Sequence, residues 1–195
     1  MQETAAELWL IRHGETEWSL SGQHTSRTDI PLTDHGRQRA VEIRDYLKSR
    51  KFSLVLTSPR QRAQETCRIA GFGDVAQVDE NLSEWDYGQY EGRTTAEIRK
   101  EQSGWSIWDG TPPGGESLDQ VAARCRKVID RSLAAGGKVA LFSHAHLLRI
   151  LAATWMGLPP KSGSLLVLGT GSVSTLSFER ETRVIQTWNR SFELD

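Results

Sequence analysis

The sequence predicts an α/β fold in which helices cover both faces of a mostly parallel sheet, a three-layer α/β/α sandwich. Three short apolar runs have the composition of buried strands, and they cover residues 8–11, 52–57 and 138–142. Each run is followed by a polar turn and then by a stretch with helical spacing. This alternation is typical of a parallel sheet, because parallel strands need a crossover connection. Ligands bind beyond the carboxyl ends of such strands, so the polar turns are the expected location of a site.

Capping residues define the helices in the first half of the chain. Thr33 is the expected N-cap of a helix that extends to about Ser49. Ser58 and Pro59 are expected to cap and begin the next helix, which ends at Gly71. Both helices follow the strand and turn pattern that the fold requires.

The second half of the chain carries two capping boxes, Thr94 with Glu97 and Ser117 with Gln120, which predict a short helix and a long one. A further helix, rich in leucine and isoleucine, is predicted from the third polar turn to Met156. Additional strands are predicted over residues 75–78, 165–168, 173–178 and 184–188, with a hairpin turn near 179–182.

Length and charge limit the kinds of partner. At 195 residues the chain is expected to form a single domain, residues 1–195. Its net charge of −1, from 24 basic and 25 acidic residues, argues against nucleic-acid or membrane partners, which require a field of one sign. No apolar run approaches the ~20 residues of a membrane span, and the first residues lack a signal-peptide pattern, so a cytoplasmic protein is expected. Cys67 and Cys125 lack disulfide or zinc spacing and are expected to be small buried residues within helices.

The three polar turns carry cationic side chains. Arginines and histidines occur at all of them: Arg12 and His13, Arg60 and Arg62, and His144 and His146. One guanidinium group can donate two parallel hydrogen bonds to phosphate oxygens, and imidazoles add further donors. The convergence of these side chains therefore predicts a pocket for a compact dianion such as phosphate. Gly14 is expected to let the backbone turn sharply beside that ligand. The sequence has no Walker loop, dinucleotide-binding glycine motif or Asp-rich magnesium motif, so neither a metal nor a cofactor is expected.

Four ordered motifs resemble those of the histidine phosphatase superfamily, in its phosphoglycerate mutase-like branch. They are R-H-G-E-T at 12–16, S-P-x-x-R-A at 58–63, L-S-E at 82–84 and S-H at 143–144. The resemblance extends over roughly residues 8–150. It implies a single histidine phosphatase domain with a small cap region at about 92–116.

The resemblance implies catalytic roles for five residues. His13 matches the family's nucleophile, which attacks phosphorus and forms a phosphohistidine. Arg12, Arg62 and His144 match side chains that hold the phosphoryl oxygens, which agrees with the need to stabilise charge in a loose transition state. Glu84 matches the family's proton donor, which protonates the leaving oxygen and then activates the water that hydrolyses the phosphohistidine.

The resemblance also implies residues that contact the substrate. The polar segment 20–32 lacks helical or strand spacing and is expected to be a loop. Its residues 22–32 are similar to the family's substrate loop, and Thr25 matches a substrate-contacting threonine. Ser19 stands where many relatives have asparagine, and it can still donate one hydrogen bond. Ala145, where relatives commonly have glycine, can still offer its N–H. The predicted substrate-binding residues are Ser19, Thr25, Tyr87, Ala145 and His146.

Two of these side chains have alternative interpretations. Arg60 either binds the substrate or lies on the helix surface. His146 either packs beneath the site or touches the substrate, and the H-x-H spacing with His144 also occurs in zinc sites. No cluster of cysteine or carboxylate residues accompanies that pair in the sequence, so metal binding is disfavoured.

The reaction is predicted to be hydrolysis of a small phosphomonoester, with sugar phosphates as the expected substrates. The family's true mutases carry an added segment between the glutamate and the second histidine, whereas the interval from Glu84 to His144 is short. A shorter cover should admit water. The strings around the motifs resemble a subgroup with sugar-bisphosphatases, including sedoheptulose-1,7-bisphosphatase, and broad acid phosphatases. The alternatives are a 2,3-bisphosphoglycerate-dependent phosphoglycerate mutase and a non-catalytic module that binds a phosphorylated ligand. The expected partner is a small phosphorylated metabolite, and a homo-oligomer is left open.

Overall fold

The sheet has a parallel centre and an antiparallel edge. The computed structural model describes residues 6–192, and its strands are β1 (Glu7–Arg12), β2 (Leu54–Thr57), β3 (Gln77–Val78), β4 (Lys138–Ser143), β5 (Val173–Glu179) and β6 (Thr182–Arg190). They pair in the order β3-β2-β4-β1-β5-β6. The pairs from β3 to β1 are parallel, whereas β5 and β6 add antiparallel strands at one edge. The predicted α/β fold class is therefore confirmed, and β1, β2 and β4 end at the same edge of the sheet.

Helices cover both faces of this sheet. They are α1 (Glu17–Ser21), α2 (Asp34–Leu47), α3 (Gln61–Ile69), α4 (Thr95–Glu101), α5 (Leu118–Ala135) and α6 (Ala145–Trp155), with short 3-10 helices at Glu80–Leu82, Gly88–Tyr90, Ile107–Asp109 and Pro160–Leu165. Side chains alternate along β1, so that Leu8 and Leu10 pack with α5 and α6. Trp9 and Ile11 pack on the opposite face with α2 and α3. This alternation produces the three layers.

Several predicted elements are confirmed, two are wrong and one helix was not predicted. Both capping boxes are formed, and Thr33 caps α2 through the backbone N–H of Gly36. Ser58 is not an N-cap: α3 begins two residues later than predicted, after Arg60, because the Ser58 hydroxyl lies beside His144.

The other two errors concern a missed helix and a predicted strand. The helix α1 lies in the segment before the predicted loop and extends to Ser21, and it begins with a capping box between Thr16 and Ser19. Residues 165–168 are not a strand: Leu165 ends a 3-10 helix, and it and Val167 are 83% and 74% exposed. Leu168 is buried in the core and Leu166 packs partly against it, so only half of the run contributes to the core.

Both cysteines behave as predicted. Cys67 lies in α3 and Cys125 in α5, and both are buried and free. Burial raises the pKa of each thiol to about 12. No helix within residues 6–192 is long and apolar enough to cross a membrane. The expectation about the first residues and the ends of the 1–195 domain involve residues 1–5 and 193–195, which lie outside the described residues.

Candidate active site

His13 follows β1 and is held with one nitrogen unencumbered. Its backbone N–H donates to the carbonyl of Ser143, and its Nδ1 lies 2.7 Å from the carbonyl oxygen of Gly14. Because a carbonyl oxygen can only accept, Nδ1 carries the proton and Nε2 keeps its lone pair. Burial, reinforced by the positive charges of Arg62 and Arg12, lowers the pKa of His13 well below its usual value. The side chain is therefore a neutral imidazole at neutral pH.

Gly14 is required by the packing of α2 against the turn. A Cβ atom at Gly14 would lie 2.3 Å from the carbonyl oxygen of Gly36, near the start of α2. This close approach between two pieces of backbone is a packing requirement for glycine at position 14. It fixes the turn that carries His13.

His144 follows β4, caps the first turn of α6 and lies beside His13. The two ring centroids are 5.1 Å apart, and His144 is fully buried. Its Nε2 is 2.7 Å from the Ser58 hydroxyl, at the end of β2. Burial and the positive charge of Arg62 lower the pKa of His144 well below its usual value. The ends of all three central strands thus meet at this pair of rings.

Arg12 and Arg62 bring guanidinium groups to the same place. Arg12 donates to the carbonyl of Leu168 at 2.6 Å, and burial lowers its pKa to about 10, so it stays charged at neutral pH. Arg62, in the first turn of α3, is 1% exposed and donates to the carbonyls of Thr28, Thr25 and Ser26. The substrate loop predicted from the sequence is therefore hydrogen-bonded to Arg62, one of the residues predicted to bind phosphate.

Buried polar atoms without a hydrogen-bond partner concentrate at this point of the molecule. Among the described residues, the buried side-chain atoms without a hydrogen-bond partner are Trp9 Nε1, Arg12 Nε, Arg60 Nε, Arg62 Nε and His144 Nδ1. All except Trp9 Nε1 belong to the predicted cationic cluster. Buried donors without acceptors are costly, and an anion with several oxygens would supply the missing acceptors. The buried Nε of Arg60 favours a role in the site over a position on the helix surface.

Glu84 is fixed in the wall of the site by backbone N–H groups. Its Oε1 accepts from Trp85 and Leu147 at 3.0 and 2.9 Å, and its Oε2 accepts from His146 at 3.1 Å. Two of these donors belong to the first turn of α6. The carboxyl group is therefore held in one place rather than free in a loop.

The predicted residues surround one cavity of about 170 Å³. Its lining comprises Arg12, His13, Thr16, Trp18, Ser19, Gly22, Gln23, His24, Thr25, Glu84, Tyr87, Ala145 and His146. Eight of the ten predicted site residues belong to this lining, whereas the buried Arg62 and His144 do not. Ser19 donates its hydroxyl proton to the carbonyl of Thr16, so that hydroxyl is already engaged within α1. Tyr87 and His146 form a pair, with the Tyr87 hydroxyl 2.7 Å from His146 Nδ1.

Five residues of the lining were not among the predicted site residues, namely Thr16, Trp18, Gly22, Gln23 and His24, and sequence reasoning also missed Glu91 beside the site. His24 lines the cavity and packs on Tyr87, with ring centroids 4.7 Å apart; its position next to Thr25 could have singled it out. Glu91 accepts hydrogen bonds from the backbone N–H groups of Ser26 and Thr28, each at 2.9 Å by its Oε1. No local pattern identifies Glu91, because its partners lie more than sixty residues away along the chain.

The described residues contain no group of three or more histidine, cysteine, aspartate or glutamate side chains that could hold a metal ion. His144 and His146 accordingly have other neighbours: His144 lies against Ser58, and His146 against Tyr87. The donor set of this site is cationic, which suits an anion and not a cation.

Comparison with known proteins gives one consistent family. The model of the histidine phosphatase superfamily (branch 1) matches residues 8–191. An acid phosphatase of Mycobacterium tuberculosis is 38% identical over 180 residues, covering 90% of this chain and 88% of the relative. The sedoheptulose 1,7-bisphosphatase of Saccharomyces cerevisiae is 34% identical over 181 residues, covering 76% of this chain and 67% of that protein. Bacterial relatives with the name phosphoglycerate mutase match at 28–35% identity.

Solved structures agree with the sequence relatives. The mycobacterial glucosyl-3-phosphoglycerate phosphatase in its complex with VO3 is similar with a TM-score of 0.87 at 30% identity. The match covers 96% of this chain and 100% of that chain. The likeness in fold therefore extends over nearly the whole chain.

Proposed function

The chain belongs to the histidine phosphatase superfamily (branch 1), and on this premise we propose that it hydrolyses small phosphomonoesters, sugar phosphates among them, through a phosphohistidine on His13. One observation carries the proposal. The hydrogen bond from Nδ1 to Gly14 and the lowered pKa of His13 leave a neutral Nε2 on a side chain that lines the cavity, among buried arginines. A neutral imidazole nitrogen beside fixed cations has the properties that nucleophilic attack on a phosphoryl group requires.

The first step transfers the phosphoryl group to the protein. Nε2 of His13 forms a bond to phosphorus while the bond from phosphorus to the ester oxygen breaks, and the leaving oxygen takes the proton of the Glu84 carboxyl group. Arg12, Arg62 and His144 stabilise the negative charge that is spread over the three equatorial oxygens.

The second step releases phosphate. The Glu84 carboxylate takes a proton from a water molecule as the water oxygen attacks phosphorus, and the bond between phosphorus and Nε2 breaks. The products are inorganic phosphate, neutral His13 and protonated Glu84, so the site is restored. No metal is needed in either step, because the arginines supply the positive charge.

We also propose that residues 92–116 cover the cavity as a small cap, within a single domain. The ring of Trp105 lies 5.5 Å from that of His24, and the ring of Trp108 lies 5.3 Å from that of His146. Both imidazoles line the cavity, so the cap residues contact the groups that would meet a substrate. Phosphorylated metabolites are found inside cells, so the proposal includes a cytoplasmic site of action.

Phosphate release from purified protein tests the proposal. The panel contains sugar phosphates, sugar bisphosphates, phosphoglycerates and p-nitrophenyl phosphate, all in EDTA, beside an assay of phosphoglycerate interconversion with added 2,3-bisphosphoglycerate. We expect metal-independent release from one or more esters. Interconversion without release would replace the phosphatase with the mutase that several relatives are named for, and binding without either reaction would indicate a non-catalytic module.

A further inference from the structure

Beyond the phosphoryl-binding cluster, the cavity offers a neutral surface. Resting on the proposed phosphatase activity, we propose that the site selects phosphomonoesters whose alcohol half is uncharged, and that it discriminates against esters with a carboxylate or a second phosphate. Arg12 is the only lysine or arginine among the described residues that line the cavity, and we have assigned it to the transferred phosphoryl group. A second anionic group of the substrate would lose water there without gaining a cation, which is costly.

The two imidazoles of the lining do not replace the missing cation. His146 Nδ1 is paired with the Tyr87 hydroxyl, and His24 Nε2 lies 3.3 Å from the Thr95 hydroxyl. The ring of His24 packs against Trp105, and that of His146 against Trp108. Burial lowers the pKa of both histidines, so both are uncharged at neutral pH.

Arg60 and Arg62 belong to the phosphoryl-binding cluster, and the two further arginines near the site are bound to other groups of the protein. Arg149 donates to the carbonyls of Gly163 and Ser164, and its guanidinium lies 4.7 Å from the centroid of the Trp108 ring. Arg27 forms an ion pair with Asp86 and is 73% exposed at its side chain. Neither arginine belongs to the lining of the cavity.

The remaining lining fits the hydroxyls and C–H groups of a neutral alcohol. Trp18 and Tyr87 present aromatic surface, and Gln23 and Thr25 add neutral polar groups. The Thr25 hydroxyl donates to the Gln23 carbonyl and can still accept from a substrate hydroxyl. The Glu84 carboxyl group belongs to the same lining and, when ionised, repels a nearby anion. The lining thus favours a substrate whose alcohol half is polar but uncharged.

Two matched pairs of esters test this selectivity. Glycerol 3-phosphate differs from 3-phosphoglycerate only in a hydroxymethyl group that replaces a carboxylate, and fructose 6-phosphate lacks the second phosphate of fructose 1,6-bisphosphate. We expect kcat/KM for the uncharged alcohol to exceed that for its charged counterpart by roughly tenfold or more in each pair. Equal values, or faster release from the charged members, would overturn the inference while leaving the phosphatase activity in place. No release from either pair, or from p-nitrophenyl phosphate, would overturn the proposed function as well.

A charge placed on the lining tests the cause of the selectivity. Gln23→Lys adds an ammonium group to the cavity, and we expect it to shift the ratio of kcat/KM several-fold toward the charged member of each pair. Gln38→Lys adds the same charge on an exposed position of α2 and is the matched control. An unchanged ratio in Gln23→Lys, or an equal shift in both variants, would contradict the assignment of selectivity to the lining.

Discussion

At the scale of single residues, the chemistry of the site depends on hydrogen bonds that determine which atoms of each side chain remain free to react. His13 uses Nδ1 on a backbone carbonyl and keeps Nε2, whereas Glu84 uses both carboxyl oxygens on backbone N–H groups. Rigid attachment of this kind places a nucleophile and a proton donor without the entropic cost of ordering them during the reaction. The chemistry of the site therefore follows from backbone geometry at the ends of three strands.

The proton donor can be separated from the nucleophile by substitution. Glu84→Gln keeps the size of the side chain and one acceptor oxygen but cannot give or take the proton. We expect kcat for a sugar phosphate to fall by about 10²–10⁴, the usual contribution of general acid catalysis, with a smaller change in KM. Initial rates of phosphate release measure the effect.

The leaving group supplies the control for this substitution. Nitrophenolate departs without a proton, so p-nitrophenyl phosphate should give Glu84→Gln a burst of one equivalent of nitrophenol, followed by slow turnover. An equal loss of rate in the burst and in the steady state would contradict separate roles for Glu84 as the acid of the first step and the base of the second.

The same hydrogen bonds explain which site residues the sequence could predict. The motifs around His13, Arg62, Glu84 and His144 could be found because each occupies a fixed position next to a strand or turn. Glu91 could not be found, since its partners are backbone groups of a distant loop. The local sequence predicts an N-cap at Ser58 for the same reason: it does not show that the hydroxyl lies against His144, which follows another strand.

At the scale of elements, the substrate loop connects the arginine and the acid of the site. Glu91 accepts from the N–H groups of Ser26 and Thr28, and Arg62 donates to carbonyl groups of the same short segment. The Ser26 hydroxyl also donates to the carbonyl of Glu84 at 3.3 Å. The loop therefore contacts both Arg62 and Glu84. Glu91 accepts hydrogen bonds from the N–H groups of the loop, whereas Arg62 donates hydrogen bonds to its carbonyl groups.

Substitution of Glu91 tests this support. Glu91→Ala removes the acceptor of two backbone N–H groups, each of which costs about 1–3 kcal/mol if left unsatisfied in the interior, so we expect kcat/KM to fall by roughly tenfold or more. Glu91→Gln keeps one carbonyl oxygen and should retain most of the activity. Steady-state kinetics of both variants give the comparison, together with the rate of proteolysis within residues 24–28. Equal activity of the wild type and Glu91→Ala would contradict the claim that Glu91 supports the substrate loop.

Elements were predictable where their signals are local. Thr94 with Glu97 and Ser117 with Gln120 form capping boxes within one helical turn, and both helices begin where the sequence indicates. The apolar residues at 165–168 suggested a strand, but Leu165 and Val167 are exposed, because burial depends on tertiary context and not on composition. The helix α1 is only five residues long, too short for helical periodicity to show.

At the scale of the whole molecule, burial of neutral histidines makes stability depend on pH. His13, His144 and His146 all have pKa values lowered well below 6.5, with burial as the main cause. Below pH 6.5 the unfolded chain binds protons at these positions and the folded chain does not. Stability is therefore fully present above the unfolded pKa and is lost as pH falls from 6.5 toward the lowered pKa values of the folded state.

This linkage can be measured by urea unfolding between pH 7.5 and pH 5. Each histidine that stays neutral in the folded state contributes up to about 1.4 kcal/mol of lost unfolding free energy per pH unit below 6.5. We expect His146→Gln to reduce that slope by about one histidine's contribution. A stability that does not change between pH 6.5 and pH 5 would contradict burial of the neutral rings.

The measurement that tests the central claim most directly is chemical identification of the intermediate. Glu84→Gln is mixed with p-nitrophenyl phosphate, whose leaving group needs no proton, and the reaction is quenched in alkali, where phosphohistidine survives. After digestion, mass spectrometry should find a phosphoryl group on His13 that mild acid removes, and none in the double variant that also carries His13→Ala. A phosphoryl group on another residue, or full turnover by His13→Ala alone, would contradict the mechanism.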